Sequence, residues 1–146
     1  MRVLLVAVGR IRERPLREVV DDYLTRLRRY TRFEELELKD GPAADVEARF
    51  HKALPPDGVR VALEVEGRTM GSHAFARFLE EQQVRAVPSV AFLVGGSYGL
   101  PPAVRRGADL ELSLGPMTLP HRLARLVLAE QLYRAFTILR NEPYAH

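Results

Sequence analysis

The chain of 146 residues contains no cysteine. Disulfide frameworks, zinc knuckles, iron–sulfur clusters and thiol nucleophiles are therefore excluded, and the composition suits a reducing compartment such as the cytoplasm. Long hydrophobic runs are also missing, since none approaches the roughly 18 apolar residues of a membrane span. The short apolar run at residues 3–8 precedes four arginines rather than a cleavage site, so we expect a buried first strand and not a signal peptide.

Lysine is almost absent, because the chain carries 20 arginines and two lysines. A GC-rich genome accounts for this excess as well as a need for bidentate phosphate contacts does. The distribution is more informative: residues 10–32 contain eight arginines and four acidic residues, whereas residues 33–50 contain six acidic and two basic residues. The first segment, with Arg10, Arg12 and Arg14, is a candidate phosphate-facing surface, and a solvated helix face is the alternative.

Short apolar runs alternate with helical stretches, which is typical of an α/β fold with a mostly parallel sheet. We predict strands at residues 2–8, 33–38, 59–65, 89–94 and 110–114, with the second at an edge. We predict helices at residues 16–30, 42–54, 71–83 and from 118 or 119 to about 139, and at most a short helix at 101–107. No repeat or linker interrupts the pattern, so we expect residues 1–146 to form a single domain.

The last predicted helix is apolar over most of its circumference. One side carries Leu123, Leu126, Val127, Tyr133 and Ile138, and much of the other carries Leu128, Leu132, Ala135, Phe136 and Leu139. Such a helix must bury two faces. One face can pack on the sheet, and a partner subunit is the simplest cover for the second, which favours a homodimer. Burial of the whole helix inside one subunit is the alternative.

Two loops that follow predicted strands offer main-chain groups to a ligand. Residues 95–99, with the sequence GGSYG, follow the most apolar strand, where glycines permit close approach of a ligand but also suit a plain turn. Residues 115–121 contain two prolines that fix the backbone, and Thr118 is a candidate helix cap. Neither loop is a P-loop or a dinucleotide fingerprint. No histidine pair has metal-ligand spacing, so we expect no metal.

Four segments form an ordered set of motifs. They are LVAVG at residues 5–9, FLVGGSYGL at 92–100, MTLPH and AEQLYRA within 117–135, and Pro143-Tyr144. This set resembles the LVAVG, IGGxxGL, LTLPH…AExLYRA and PYH motifs of the RlmH-type ribosomal RNA methyltransferases of the SPOUT class. The resemblance spans nearly the whole chain, and four motifs in the same order are improbable by chance.

The resemblance implies an α/β fold with a C-terminal trefoil knot and S-adenosylmethionine (SAM) as the cofactor. The residues that would contact SAM are Leu63, Gly96, Gly115, Pro116, Met117, Thr118, Leu119 and Pro120. The reaction would methylate N3 of a pseudouridine in helix 69 of 23S ribosomal RNA, within the ribosome. The active site would join the two subunits of a homodimer.

The C-terminal tail departs from the family pattern, because Tyr144 is followed by Ala145 and the histidine, His146, comes one position later. We expect Tyr144 to hold the target base and His146 to accept its N3 proton, with the tail mobile until RNA binds. Arg134 matches the family and would meet RNA or the partner subunit. If Ala145 has cost the protein its base, it is a non-catalytic RNA-binding module. A generic nucleotide-binding domain is a third hypothesis, disfavoured by the missing fingerprints.

Overall fold

Five parallel strands form the centre of the computed structural model, which describes residues 1–145. The strands are β1 (Arg2–Val8), β2 (Arg32–Leu38), β3 (Val59–Thr69), β4 (Ser89–Val94) and β5 (Leu110–Ser113). The helices are α1 (Arg14–Leu27), α2 (Ala43–Ala53), α3 (Ser72–Val84), α4 (Pro102–Arg106) and α5 (His121–Leu139). Strands and helices alternate along the chain, which confirms the predicted α/β fold.

The sheet has the strand order β2-β1-β4-β3-β5, and all of these pairings are parallel. The prediction that the second strand lies at an edge is confirmed. Every residue of β4 is buried, as is every residue of β1 after Arg2. Because the strands are parallel, their carboxyl ends all lie at the same end of the sheet, which we call the carboxyl edge. Ligands bind there in open α/β folds. The predicted trefoil knot stays a prediction.

Two hydrophobic cores lie on the two faces of the sheet. The larger core takes side chains from α1, α3 and α5, and the smaller core takes side chains from α2 and α4. Successive residues of a strand point to opposite faces, so Leu5 belongs to the larger core while Leu4 and Val6 belong to the smaller one. Burial on both faces explains why β1 and β4 are apolar without alternation.

Strand β3 is longer than predicted. It continues to Thr69 rather than ending at residue 65, because it pairs with β5 again after an irregularity between Leu63 and Arg68. The residues of this extension are mostly polar and exposed. Backbone pairing with β5, rather than side-chain hydrophobicity, therefore makes this segment a strand.

The helix boundaries also shift. Helix α1 runs from Arg14 to Leu27 rather than over residues 16–30. Helix α5 begins at His121, and Pro120 occupies the N-cap position without a side-chain hydrogen bond. The prediction that Thr118 caps this helix is wrong, since Thr118 lies two residues before the cap position.

The two apolar sides of α5 are buried to different extents. Leu128, Leu132, Ala135 and Phe136 are buried in the larger core, and α5 contacts both α1 and α3. The opposite side is only partly covered, and Leu123 remains 38% exposed. One face thus packs inside the subunit, and the cover of the other face by a partner subunit stays a prediction.

Two further observations concern residues 1–145 as a whole. No helix among them is long and apolar enough to cross a membrane. No group of three or more acidic or histidine side chains among them is placed to hold a metal ion.

Candidate active site

A cavity of about 590 Å³ lies at the carboxyl edge of the sheet. Its walls come from the middle of β3, from the glycine loop after β4, and from the loop between β5 and α5. Seven of the eight residues predicted to contact the cofactor line it: Leu63, Gly96, Gly115, Met117, Thr118, Leu119 and Pro120. Pro116 lies in the same loop but is not a lining residue. The fold therefore assembles residues from distant parts of the sequence around a space typical in size of a small-molecule site.

The glycine loop after β4 is a tight turn with no room for a side chain at Gly95 and little room for one at Gly96. The Gly99 N–H donates a hydrogen bond to the Gly96 carbonyl at 3.0 Å, and Gly99 has a φ of +79°. A Cβ atom at Gly95 would overlap the backbone of Gly99 and lie 2.6 Å from the nitrogen of Leu100. A Cβ atom at Gly96 would lie 3.1 Å from Cγ1 of Val8. The loop therefore borders the cavity with its backbone.

Ser113 fixes the start of the loop between β5 and α5. This side chain is buried, its Oγ accepts a hydrogen bond from the Gly115 N–H at 3.1 Å, and it donates to the Val65 carbonyl at 2.8 Å. Gly115 has a φ of +142°, which favours glycine, and a Cβ atom there would meet nothing within 4 Å. The loop is thus tied to β3, while the space beside Gly115 stays open.

The first turn of α5 adds three residues to the cavity wall, His121, Arg122 and Ala124. The Arg122 guanidinium also pairs with Glu13 at 3.3 Å. The Nδ1 atom of His121 is buried and has no hydrogen-bond partner among residues 1–145. A buried polar atom of this kind is satisfied when a ligand or water reaches it.

A buried ion-pair network joins α5 to the ends of β1 and β2. The guanidinium of Arg125, which is fully buried, donates to the Gly9 carbonyl at 3.1 Å and to Glu35 and Glu37 at 2.7 and 2.6 Å. Arg17 of α1 contacts the same carboxylates at 2.8 and 3.3 Å. The network fixes the start of α5 to the sheet, and with it the preceding loop that lines the cavity.

Sequence reasoning missed Arg125, because a charged residue on a helix is ordinarily exposed. A signal for its burial is nevertheless present. Arg125 stands three residues before Leu128 and seven before Leu132, so helical spacing places it on the stripe that is buried in the core.

The four arginines predicted to contact RNA lie in two places. Arg10, Arg12 and Arg14 are exposed on the segment after β1 and at the start of α1, and the Arg14 side chain is 90% exposed. Arg134 lies on α5, where its guanidinium pairs with Glu130 at 2.9 Å. The structure thus groups the first three and places Arg134 apart from them, beside the tail.

The described part of the tail is docked on α5, and its mobility before RNA binds stays a prediction. The Tyr144 hydroxyl donates a hydrogen bond to Glu130 at 2.8 Å, and its ring packs edge-on against Tyr133 with 4.6 Å between centroids. Arg134 lies over the same ring at 5.1 Å. Burial and the hydrogen bonds to Tyr23 and Glu130 raise the pKa of Tyr144. Its hydroxyl is therefore neutral at physiological pH.

Within one chain Tyr144 does not reach the cavity. Its partner Glu130 lies nine residues beyond His121 on α5, which corresponds to about 13 Å along the helix axis. Tyr144 is not a lining residue of the cavity. The structure therefore separates the predicted catalytic tyrosine from the predicted cofactor residues, and His146 lies outside the described residues.

The free energy of unfolding at alkaline pH should depend on Tyr30. Its hydroxyl donates a hydrogen bond to Glu142 at 2.7 Å. Burial and this hydrogen bond raise the pKa of Tyr30 from 10.0 to about 12. Because the folded pKa exceeds the unfolded one, this stabilisation is complete below pH 10 and is lost as the pH rises to about 12.

We therefore expect the free energy of unfolding in urea to fall across that window, and we expect Tyr30→Phe to remove part of the fall. Tyr98→Phe is the control, because the Tyr98 side chain is 98% exposed. Identical pH slopes for the wild type and Tyr30→Phe would contradict the prediction.

Solved structures with a similar fold include proteins described as probable or putative methyltransferases. A probable methyltransferase from Bordetella pertussis has a TM-score of 0.57 and 14% identity, over 92% of this chain and 96% of that chain. A probable methylase family protein from Haemophilus influenzae has a TM-score of 0.56 and 12% identity, over 98% and 69%. A protein from Legionella pneumophila described as a putative methyltransferase, solved with bound SAM, has a TM-score of 0.53 and 13% identity, over 92% of this chain and 66% of that chain. At these identities the similarity shows the fold alone.

Sequence comparisons give full-length matches. A family described as "Predicted SPOUT methyltransferase" matches residues 1–146. A Sorangium cellulosum protein named ribosomal RNA large subunit methyltransferase H is 52% identical over 146 residues, which are 100% of both chains. Proteins of the same name from Gemmatimonas aurantiaca and Carboxydothermus hydrogenoformans are 46% and 40% identical over 99% of both chains. Because these matches cover the whole chain, this chain belongs to the SPOUT methyltransferase family.

Proposed function

We propose that this protein transfers the methyl group of SAM to N3 of a pseudouridine in helix 69 of 23S ribosomal RNA, within the ribosome. The cavity at the carboxyl edge of the sheet carries the proposal, because seven residues expected to contact SAM line it together. Full-length similarity to proteins named ribosomal RNA large subunit methyltransferase H supports the ribosomal substrate. In this proposal residues 1–146 are one domain with a C-terminal trefoil knot, and the enzyme works in the cytoplasm, where ribosomes are.

The cavity suits SAM in size and chemistry. Its volume of about 590 Å³ falls within the usual range for small-molecule sites. Leu63, Met117 and Leu119 supply apolar surface for the adenine ring, and the backbone of residues 115–120 supplies hydrogen-bonding groups. His121 also lines the cavity, and its buried Nδ1 atom has no hydrogen-bond partner among residues 1–145. SAM supplies a methyl group already activated by a sulfonium, so the transfer requires no metal.

Gly95→Ala should weaken SAM binding by at least about tenfold. A tenfold loss of affinity corresponds to about 1.4 kcal/mol, and we expect the backbone strain caused by the added methyl group to be at least that large. The added methyl group would overlap the backbone of Gly99, so the glycine loop must shift out of the cavity wall. Gly71→Ala is the matched control, because a Cβ atom there meets nothing within 4 Å. Isothermal titration calorimetry measures both, and equal affinities in the two variants would argue against this loop as a cofactor wall.

Methyl transfer needs a deprotonated N3 held in line with the methyl group. N3 is a weak acid, so a base or water must accept its proton. In this proposal His146 accepts it, and Tyr144 holds the base through its neutral hydroxyl or by stacking. The loops that contain Gly96 and Gly115 hold the cofactor for an approach of about 3–3.5 Å between the reacting atoms.

The active site is proposed to be assembled from two subunits. In one chain the Tyr144 hydroxyl binds Glu130 at 2.8 Å, away from the cavity. A partner that covers the exposed side of α5 near Leu123 would bring its own tail to this cavity and complete the site.

Sedimentation velocity should show a dimer at micromolar concentration. A monomer that methylates ribosomes at the full rate would contradict the shared site.

The arginines are proposed to hold the RNA by its phosphates. Arg10, Arg12 and Arg14 are exposed on one segment, and their guanidinium groups suit bidentate phosphate contacts. Arg134 lies beside Tyr144 and would contact RNA or the partner next to the target base. A small domain offers little surface for reading sequence, so two subunits would recognise the shape of the ribosomal RNA.

Methyl transfer to 70S ribosomes that lack the modification tests this function. The wild-type protein and labelled SAM should label 23S ribosomal RNA, and mass spectrometry of nuclease fragments should place the methyl group on N3 in helix 69. A label on another nucleotide would overturn the assigned substrate. Binding of SAM and ribosomes without a label would favour the non-catalytic RNA-binding module, which Ala145 motivates.

A further inference from the structure

Glu64 lies on the wall of the cavity, between Leu63 and Val65, which also line it. Its side chain is only 19% exposed. Within residues 1–145, Glu64 is the only carboxylate that lines this cavity. A partly buried negative charge therefore borders the space in which SAM is proposed to bind.

The protein neutralises this charge only in part. The Nε atom of Arg105 lies 3.8 Å from Glu64, and the same nitrogen makes a much closer contact with Glu111. Burial raises the pKa of Glu64, Arg105 opposes this, and the charges of Glu111 and Glu66 raise the pKa further. A carboxylate that shares its arginine with a second carboxylate is stabilised by a cationic ligand.

We infer that Glu64 selects the cationic cofactor over its neutral product, an inference that rests on the proposed function. SAM carries a positively charged sulfonium, whereas S-adenosylhomocysteine carries a neutral thioether. When the methyl group moves to N3, the carbon–sulfur bond breaks, its electron pair stays on sulfur, and the N3 proton goes to the base. The attraction to Glu64 disappears with the charge on sulfur, which favours release of the product.

Calorimetry with three ligands tests this role. SAM and sinefungin, in which a carbon that bears a protonated amine replaces the methylated sulfur, both carry a positive charge at this point, and S-adenosylhomocysteine does not. Glu64→Gln should weaken SAM and sinefungin by about tenfold, as expected for the loss of one charge-assisted contact. The affinity for S-adenosylhomocysteine should change by less than about twofold. Glu80→Gln is the control, because Glu80 is exposed on α3, does not line the cavity and is not among the charges that shift the pKa of Glu64.

The outcomes separate this inference from the proposed function. Equal weakening of all three ligands would place the contact on a part that they share, and no weakening of any ligand would leave Glu64 without a role; either result overturns the inference. Glu64→Asp keeps the charge and should keep the preference for SAM, so the inference stays testable if the glutamine variant does not fold. A wild-type protein that binds none of the ligands would instead refute the proposed cofactor.

Discussion

Deletion of residues 143–146 should lower methylation of the ribosome by orders of magnitude while the protein stays folded and binds SAM with unchanged affinity. The deletion removes Tyr144 and His146, which are proposed to hold the target base and to accept its proton. The polar contacts that Tyr144 makes within its own subunit are a hydrogen bond of 2.8 Å to Glu130 and a longer one of 3.4 Å to Tyr23. Because these groups are only half-buried, their loss should cost little stability. Methyl incorporation, calorimetry and thermal unfolding measure the three properties separately.

Single substitutions divide the effect between the two tail residues. His146→Ala should lower the methylation rate about 10²–10⁴-fold, the usual contribution of one positioned acid–base group. Tyr144→Phe keeps the ring and removes only the hydroxyl, so a smaller loss than for Tyr144→Ala, which removes the ring and keeps His146, would assign stacking to the ring. Glu142→Gln is the control, because it lies in the tail outside the proposed machinery. A full rate in His146→Ala would show that the proton leaves to water or to another group.

Arg125→Met should lower the free energy of unfolding by about 3–5 kcal/mol, the usual cost of removing one partner from a buried ion pair. Arg125 is fully buried and holds the Gly9 carbonyl and the carboxylates of Glu35 and Glu37. Methionine fills much of the space but leaves these oxygens without their donor. Arg17 still contacts both carboxylates, which favours the lower end of the range.

A matched substitution on the surface controls for the loss of charge. Arg14 pairs with Glu18 at 3.3 Å, but both side chains are mostly exposed, at 90% and 67%. Arg14→Met should therefore leave the urea unfolding curve nearly unchanged, because exposed ion pairs contribute little. If the Arg125 variant lost no more stability than the Arg14 variant, the buried network would not be what fixes α5 to the sheet.

The sequence predicts best the strands in which nearly every side chain is buried. Strands β1 and β4 are continuous apolar runs because both of their faces are buried, and their bounds agree with the prediction. The second strand was expected at an edge from its alternating pattern, and β2 lies there. In contrast, the polar end of β3 becomes a strand through its pairing with β5, and this pairing leaves no local pattern to read.

In the candidate site, too, some residues could be predicted from the sequence and others could not. The glycine loop and the loop before α5 could be singled out because their residue types act through the backbone, which a linear sequence reveals. Arg125 and Glu64 were missed, because the chemistry of a charged side chain depends on what surrounds it. Only the fold shows that one is fully buried against two carboxylates and that the other is a carboxylate on the cavity wall.

The sequence by itself therefore determined the fold class and the alternation of strands and helices, because hydrophobic periodicity and backbone-shaping residues act locally. Its motifs indicated a methyltransferase only through their resemblance to a known family. The tertiary structure alone decided that Arg125 is fully buried and that Tyr144 packs on Glu130. These placements depend on strand order and helix packing, which bring together residues that the chain holds far apart. The physical reason is that the burial of a side chain and the effect of its charge depend on the residues around it, and those neighbours come together only once the sheet has formed.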